Sequence, residues 1–217
     1  MSEKPTRIMV SSRQSNEYTL RIAREITEPD DFDDELALLA GVTEDDTVKI
    51  QLITRGGNVD TAHLLIRAIR ECKAHTIAYI GPTCASAGTA IALACEEWEI
   101  DELSSFMVHT GSYGAYGKTG EIRVQVEHTN RVLESWVTNT YTGFLTAEEI
   151  TRMLRGEDFY FDGEELADRL RGFAQYRDER RLEAIEELKA SHAELQAKLD
   201  QLIGSEDPII DKSLTEE

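Results

Sequence analysis

Ser86, His109 and the pair Gly56-Gly57 are the residues whose types and surroundings permit chemistry. Ser86 sits between alanines in IGPTCASAGTAIALAC (80–95), where an apolar strand gives way to an apolar helix. A serine there is a nucleophile if a base reaches it, with the Ala87 N–H aimed at the same place as the Gly57 N–H. The plain alternative is an ordinary helix N-cap. The stretch is not the G-x-S-x-G elbow of the α/β-hydrolases, since position 84 is Cys. Gly56-Gly57 follows a strand and precedes a helix. It is either a tight turn needing positive φ or an exposed amide for an anion or oxyanion. His109 ends an apolar strand before a glycine-rich loop, so it is either the base for Ser86 or a satisfied histidine at a strand edge. His63, His75, His128 and His192 fall in helical or loop contexts without an evident role.

The elements that must position these residues alternate. YTLRIAREI (18–26), VKIQLI (48–53), TIAYI (76–80), FMV (106–108) and FYF (159–161) read as strands. ELALLAGV forms a short helix ending near Gly41, and Ala62, Leu65, Ile66 and Ile69 repeat at helical spacing. GSYGAYGKTG (111–120) must be a loop, and a long helix follows over 121–141. Thr146-Ala-Glu-Glu149 is a capping box whose helix Gly156 closes, and Asp162-Gly-Glu-Glu165 opens another that Gly172 ends. The class is therefore α/β with βαβ units. Farther on, Ile185, Leu188, His192, Leu195, Leu199 and Leu202 make a heptad seam that needs a partner, with His192 as a packing or register residue. The expected organisation is a polar N-terminal segment at 1–17, disordered, a main domain at 18–175, an amphipathic helical extension at 176–204, and an acidic, disordered tail at 205–217.

Composition narrows the partners. A formal net charge of −19 over 217 residues repels phosphate backbones and anionic membrane surfaces. Nucleic acid and membranes are thus excluded as expected partners. Cys72, Cys84 and Cys95 show no redox or metal-ligand spacing, so reduced thiols in a cytoplasmic protein and no metal site are expected. MSEKPTRIMVSSRQ carries no apolar run of the signal-peptide kind, and no segment approaches a membrane span.

The ordered set ITRGGNVDTA (53–62), ASAGTAIALA (85–94), SFMVHTGSYGAYG (105–117) and EDFYFDGEELADRLRG (157–172) resembles the proteolytic subunit of the Clp protease. The resemblance spans about Tyr18 to Phe173. It implies an α/β fold, a ClpP- and crotonase-like right-handed spiral of ββα units, here extended by the C-terminal amphipathic helix. It implies a serine endopeptidase with Ser86 as nucleophile and His109 as base. Gly57 and Ala87 would donate the oxyanion-hole amides. Loop 111–120 and helix 121–141 would match the handle through which rings of subunits stack, giving a homo-oligomer around a chamber for unfolded polypeptide. No cofactor is implied. The chain has no G-x-x-x-x-G-K-[ST], so ATP would belong to a separate AAA+ unfoldase.

One position departs from the family pattern. The triad aspartate of this family precedes the last strand, and an ungapped match through Ile150 and Phe159 puts Met153 there. Methionine cannot orient or charge-stabilise an imidazolium. Asp158, or less favourably Glu157, would take over if the chain shifts by about a turn. Otherwise a Ser-His dyad operates. Losing a triad aspartate has cost a serine protease about 10⁴-fold in kcat. Other readings stand beside the peptidase. A phage-type Clp-like head-maturation protease would cut a scaffold or capsid protein, in the host cytoplasm or virion. A structural subunit without activity would explain Met153 but not the retention of Ser86 and His109. A crotonase-type acyl-CoA enzyme would use the same two amides without the Ser-His pair.

Overall fold

A computed structural model describes residues 15–204, with side chains through residue 200. Most of the polar segment expected at 1–17 and the acidic tail expected at 205–217 lie outside the described residues. The chain divides into two compact units, the first ending at Gly172 and the second beginning at Phe173.

The first unit is built on a six-stranded sheet. Its strands are β1 (Glu17–Ile22), β2 (Thr47–Thr54), β3 (His75–Ala85), β4 (Glu97–Ile100), β5 (Ser105–Val108) and β6 (Phe159–Asp162). The order is β1-β2-β3-β5-β6, with β4 alongside β3. All pairings are parallel except β5 with β6. Strict alternation explains β2: in TVKIQLIT every second side chain, from Val48 to Thr54, is buried. The parallel strands are joined through helices α1 (Asp33–Gly41), α2 (Val59–Glu71) and α3 (Ala87–Ala94). The α/β class and the spiral of strand–helix units expected from the sequence are what the structure has. β4 is not among the strands expected from the sequence; EWEI is only half-buried and alternates weakly.

The feature that makes the site is the length of β3. Its first half pairs β4 through Ile77–Ile80, and its last two residues pair β5, Cys84 with Phe106 and Ala85 with Met107. One strand therefore changes partner on that edge and ends beside β5. α3, AGTAIALA, follows at once and is buried throughout, because alanine and glycine let a helix run inside the core.

After β5 come α4 (Thr119–Tyr141), α5 (Ala147–Leu154) and α6 (Gly163–Gly204). The loop before α4 is shorter than 111–120, since Thr119 and Gly120 are already helical. The Thr146 capping box is present: the Thr146 hydroxyl accepts from the Glu149 N–H at 3.2 Å, and Glu149 Oε2 accepts from the Thr146 N–H at 2.8 Å. Gly156, at φ +98°, follows α5 as expected. Gly172 does not end a helix: α6 runs through it. A glycine inside a helix costs about 1 kcal/mol against alanine, which burial of Leu166 and Leu170 offsets.

In the second unit the heptad positions Ile185, Leu188, Leu195 and Leu199 are exposed, as is His192. The Leu202 side chain lies outside the described ones. No helix among the described residues is long and apolar enough to cross a membrane.

Candidate active site

Ser86 is the first residue past β3, and it turns the chain into α3 with φ +54° and ψ −126°. It is the one non-glycine residue with positive φ among those described. Such a conformation costs roughly 1–3 kcal/mol and persists only where the surroundings impose it. Here they do. The Ser86 N–H donates to the Met107 carbonyl at 2.8 Å, and the Ser86 carbonyl accepts from the Thr89 N–H at 2.9 Å. The N-cap alternative is not realised, because the Ser86 side chain makes no capping bond. Its Oγ instead lies 2.7 Å from His109 Nε2.

His109 is placed by β5. Val108 is fully buried and pairs with Phe159 of β6, so the residue after one strand faces the residue before the other. That residue is Asp158. Its Oδ1 stands 4.0 Å from His109 Nδ1, beyond hydrogen-bond range, and its side chain is 47% exposed. The attraction across this gap is weak while water screens it. Met153, which the ungapped sequence match puts at the family's acid position, is fully buried in α5. Glu157 is not available as a substitute. Arg152 Nε donates to its Oε2 at 2.7 Å, and the same guanidinium holds the Glu157 carboxyl below the usual range.

The glycine pair lies directly against the serine. A Cβ at Gly56 would stand 2.6 Å from Ser86 Cβ and 2.9 Å from the Ala87 nitrogen, so no other residue fits there. Gly57, at φ +145°, passes so close to Ile26 that a Cβ would meet the Ile26 carbonyl oxygen at 2.1 Å. The bridge to Ile26 is made by the residues on either side. The Ile26 N–H donates to the Gly56 carbonyl at 2.9 Å, and the Asn58 N–H donates to the Ile26 carbonyl at 2.6 Å. In a parallel ladder this leaves the Gly57 N–H directed away from Ile26. The Asn58 side chain then caps α2, accepting from the N–H groups of Asp60 and Thr61 at 2.9 and 3.1 Å. The turn reading is realised, with both glycines at positive φ, and the bridge to Ile26 leaves the Gly57 N–H outside it.

Gly56, Gly57, Ser86 and His109 line one cavity of about 790 Å³, walled on its apolar side by Met107 and by Val132 and Leu133 of α4. A hydroxyl within hydrogen-bond distance of an imidazole nitrogen, beside helix-terminal and glycine amides, suits attack on a carbonyl. No group of acidic, histidine or cysteine side chains suited to a metal ion occurs among the described residues. Cys84 is fully buried, and burial pushes its thiol up, so it does not compete as nucleophile.

Thr89 and Tyr141 are not among the residues that the sequence marks as candidates. Both are fully buried, with their hydroxyls 2.8 Å apart, and Thr89 Oγ also donates to the Ser86 carbonyl at 2.6 Å. The one signal in the sequence is a lone hydroxyl in AGTAIALA, which reads equally well as a small core residue.

A family model described as Clp protease matches residues 4–167. Among solved structures, a ClpP1 point mutant from Listeria monocytogenes is similar in fold, with a TM-score of 0.58. It shares 22% identity, over 71% of this chain and 87% of that one. No curated protein sequence matches the chain.

Proposed function

Since this chain belongs to the Clp protease family, we propose that it is a serine endopeptidase acting through Ser86 and His109 in a ring-like homo-oligomer. The observation that carries the reading is the 2.7 Å contact between His109 Nε2 and Ser86 Oγ at a serine held in positive φ.

Ser86 Oγ attacks the scissile carbonyl carbon while its proton passes to His109 Nε2. Negative charge collects on the carbonyl oxygen, which the Gly57 and Ala87 N–H groups receive, helped by the N-terminal end of α3. The imidazolium then gives its proton to the leaving amine, which departs and leaves an acyl group on Ser86. Water, deprotonated by His109, attacks that ester and restores the serine. Asp158 stabilises the imidazolium electrostatically, and a shift of about 1 Å would bring it into hydrogen-bond range. Until then the pair works essentially as a dyad.

The substrate is polypeptide, as the cavity size and the family suggest. Assembly is supported by α4: of its 23 residues only Val137 and Tyr141 are buried, and Val124 and Val132 are exposed. A helix that buries so little in its own protomer needs a neighbour, which agrees with stacked rings. An AAA+ unfoldase or a capsid or scaffold protein is the matching partner. The cytoplasm, or the host cytoplasm and virion for a phage-encoded form, is the matching location.

A second reading, a structural subunit of impaired activity, is favoured by the buried Met153 and the 4.0 Å gap at Asp158. A fluorophosphonate separates the two. Fast single labelling, read by intact mass and lost in Ser86→Ala, supports the peptidase. No labelling of the wild type in any assembly state supports the structural subunit. A melting-temperature rise with coenzyme A would instead point to an acyl-CoA enzyme.

A further inference from the structure

The Ser86 carbonyl accepts two hydrogen bonds from a single residue, the Thr89 N–H at 2.9 Å and the Thr89 hydroxyl at 2.6 Å. The direction of the next bond follows from proton counting. A carbonyl only accepts, so the one hydroxyl proton of Thr89 is committed to Ser86. Tyr141 must then donate its own proton to Thr89 Oγ, across 2.8 Å. The chain runs Tyr141 O–H to Thr89 O–H to Ser86 C=O. Both hydroxyls are fully buried. A valine and a phenylalanine would fill nearly the same space without two polar groups to desolvate.

The peptide plane shows what this arrangement does. The Ser86 carbonyl and the Ala87 N–H belong to one trans peptide unit and point in opposite directions. Fixing the carbonyl therefore fixes the direction of the Ala87 N–H, the donor proposed above for the oxyanion. The same bonds hold Ser86 at φ +54°, the conformation in which its Oγ meets His109. Tyr141 is the last residue of α4, packed edge-on against Trp136 at 5.9 Å. The nucleophile corner is thereby tied to the end of the helix that is mostly exposed in the protomer.

We propose that Thr89 and Tyr141 are positioning residues, which aim the Ala87 amide and hold Ser86 in its reactive conformation from the end of α4. This rests on the peptidase reading, and the test separates the two. Wild type, Thr89→Val, Thr89→Ser and Tyr141→Phe are labelled with a fluorophosphonate at several concentrations, well below each variant's Tm. Loss of one oriented hydrogen bond predicts that Thr89→Val labels about tenfold more slowly at saturation, with its half-saturating concentration unchanged. Tyr141→Phe is slowed about threefold, and Thr89→Ser stays near wild type because it keeps the hydroxyl. If Thr89→Val and Tyr141→Phe lower Tm yet label at the wild-type rate, the pair is only structural and the inference is overturned. It is equally overturned if Thr89→Ser is slowed as much as Thr89→Val. A wild type that never labels overturns the peptidase reading itself, and that result is read without any variant.

Discussion

The two ends of the Ser86–His109 pair are built to different standards. On the serine side, β5 holds the Ser86 N–H, Thr89 holds its carbonyl twice, and Gly56 packs against its Cβ. Both backbone polar groups of Ser86 have partners, and the strain of positive φ is borne by those partners. On the acid side, Asp158 sits just before β6, half in water, 4.0 Å from the imidazole it faces. Its neighbour Glu157 is committed to Arg152. A nucleophile and its oxyanion amides must be fixed to a fraction of an ångström, because attack and charge development depend on direct contact. An acid acting through an imidazole adds orientation and charge, and the charge effect falls off gradually with distance.

That contrast can be broken by substitutions, from the largest effect down. Ser86→Ala removes all fluorophosphonate labelling while leaving Tm near wild type, as intact mass and thermal melting would show. His109→Ala slows labelling by about 10³-fold or more, since no other base reaches Oγ among the described residues. Gly57→Ala places a methyl group in the Ile26 carbonyl. Loss of the oriented amide slows labelling by about 10²- to 10³-fold, together with a lower Tm. Asp158→Asn slows labelling only about three- to tenfold, because its charge acts across 4.0 Å and through solvent. A loss of about 10⁴-fold there would mean that assembly closes the gap and a full triad operates.

The smallest effect concerns the frame that carries Asp158. Arg169 of α6 holds Glu149 of α5 through both carboxylate oxygens, at 2.7 and 3.0 Å. The guanidinium, and then the Thr146 cap, keep the Glu149 carboxyl at about 2. Its folded value is depressed, so the stabilisation is present above the ordinary carboxylate range, near 4.5, and is lost as pH falls towards 2. Glu149→Gln should lower Tm by a few degrees at about pH 7 and flatten the fall in Tm between about pH 5 and 2. An unchanged slope across that window would show the pair to be inert.

Much of this protein was already determined by local sequence. Alternation over VKIQLI, helical spacing from Ala62 to Ile69 and the capping box at Thr146 act between near neighbours, and each element formed where its pattern lies. Gly-Gly, Ser and His in that order marked the candidate site, because positive φ, a small nucleophile and a strand-end base each need particular residue types. Gly172 misled, since a glycine ends a helix only if the flanking turns lack anchors, and Leu166 and Leu170 supply them. Setting aside the N-cap for Ser86 took the tertiary structure, because the partner of its hydroxyl, His109, lies 23 residues away. So did the placing of Asp158 opposite His109, which is a matter of antiparallel register between β5 and β6. So did the Tyr141–Thr89–Ser86 chain, whose members are 52 and 3 residues apart. Short-range preferences are written in residue type and spacing; contacts across the sheet exist only once the strands have paired and packed.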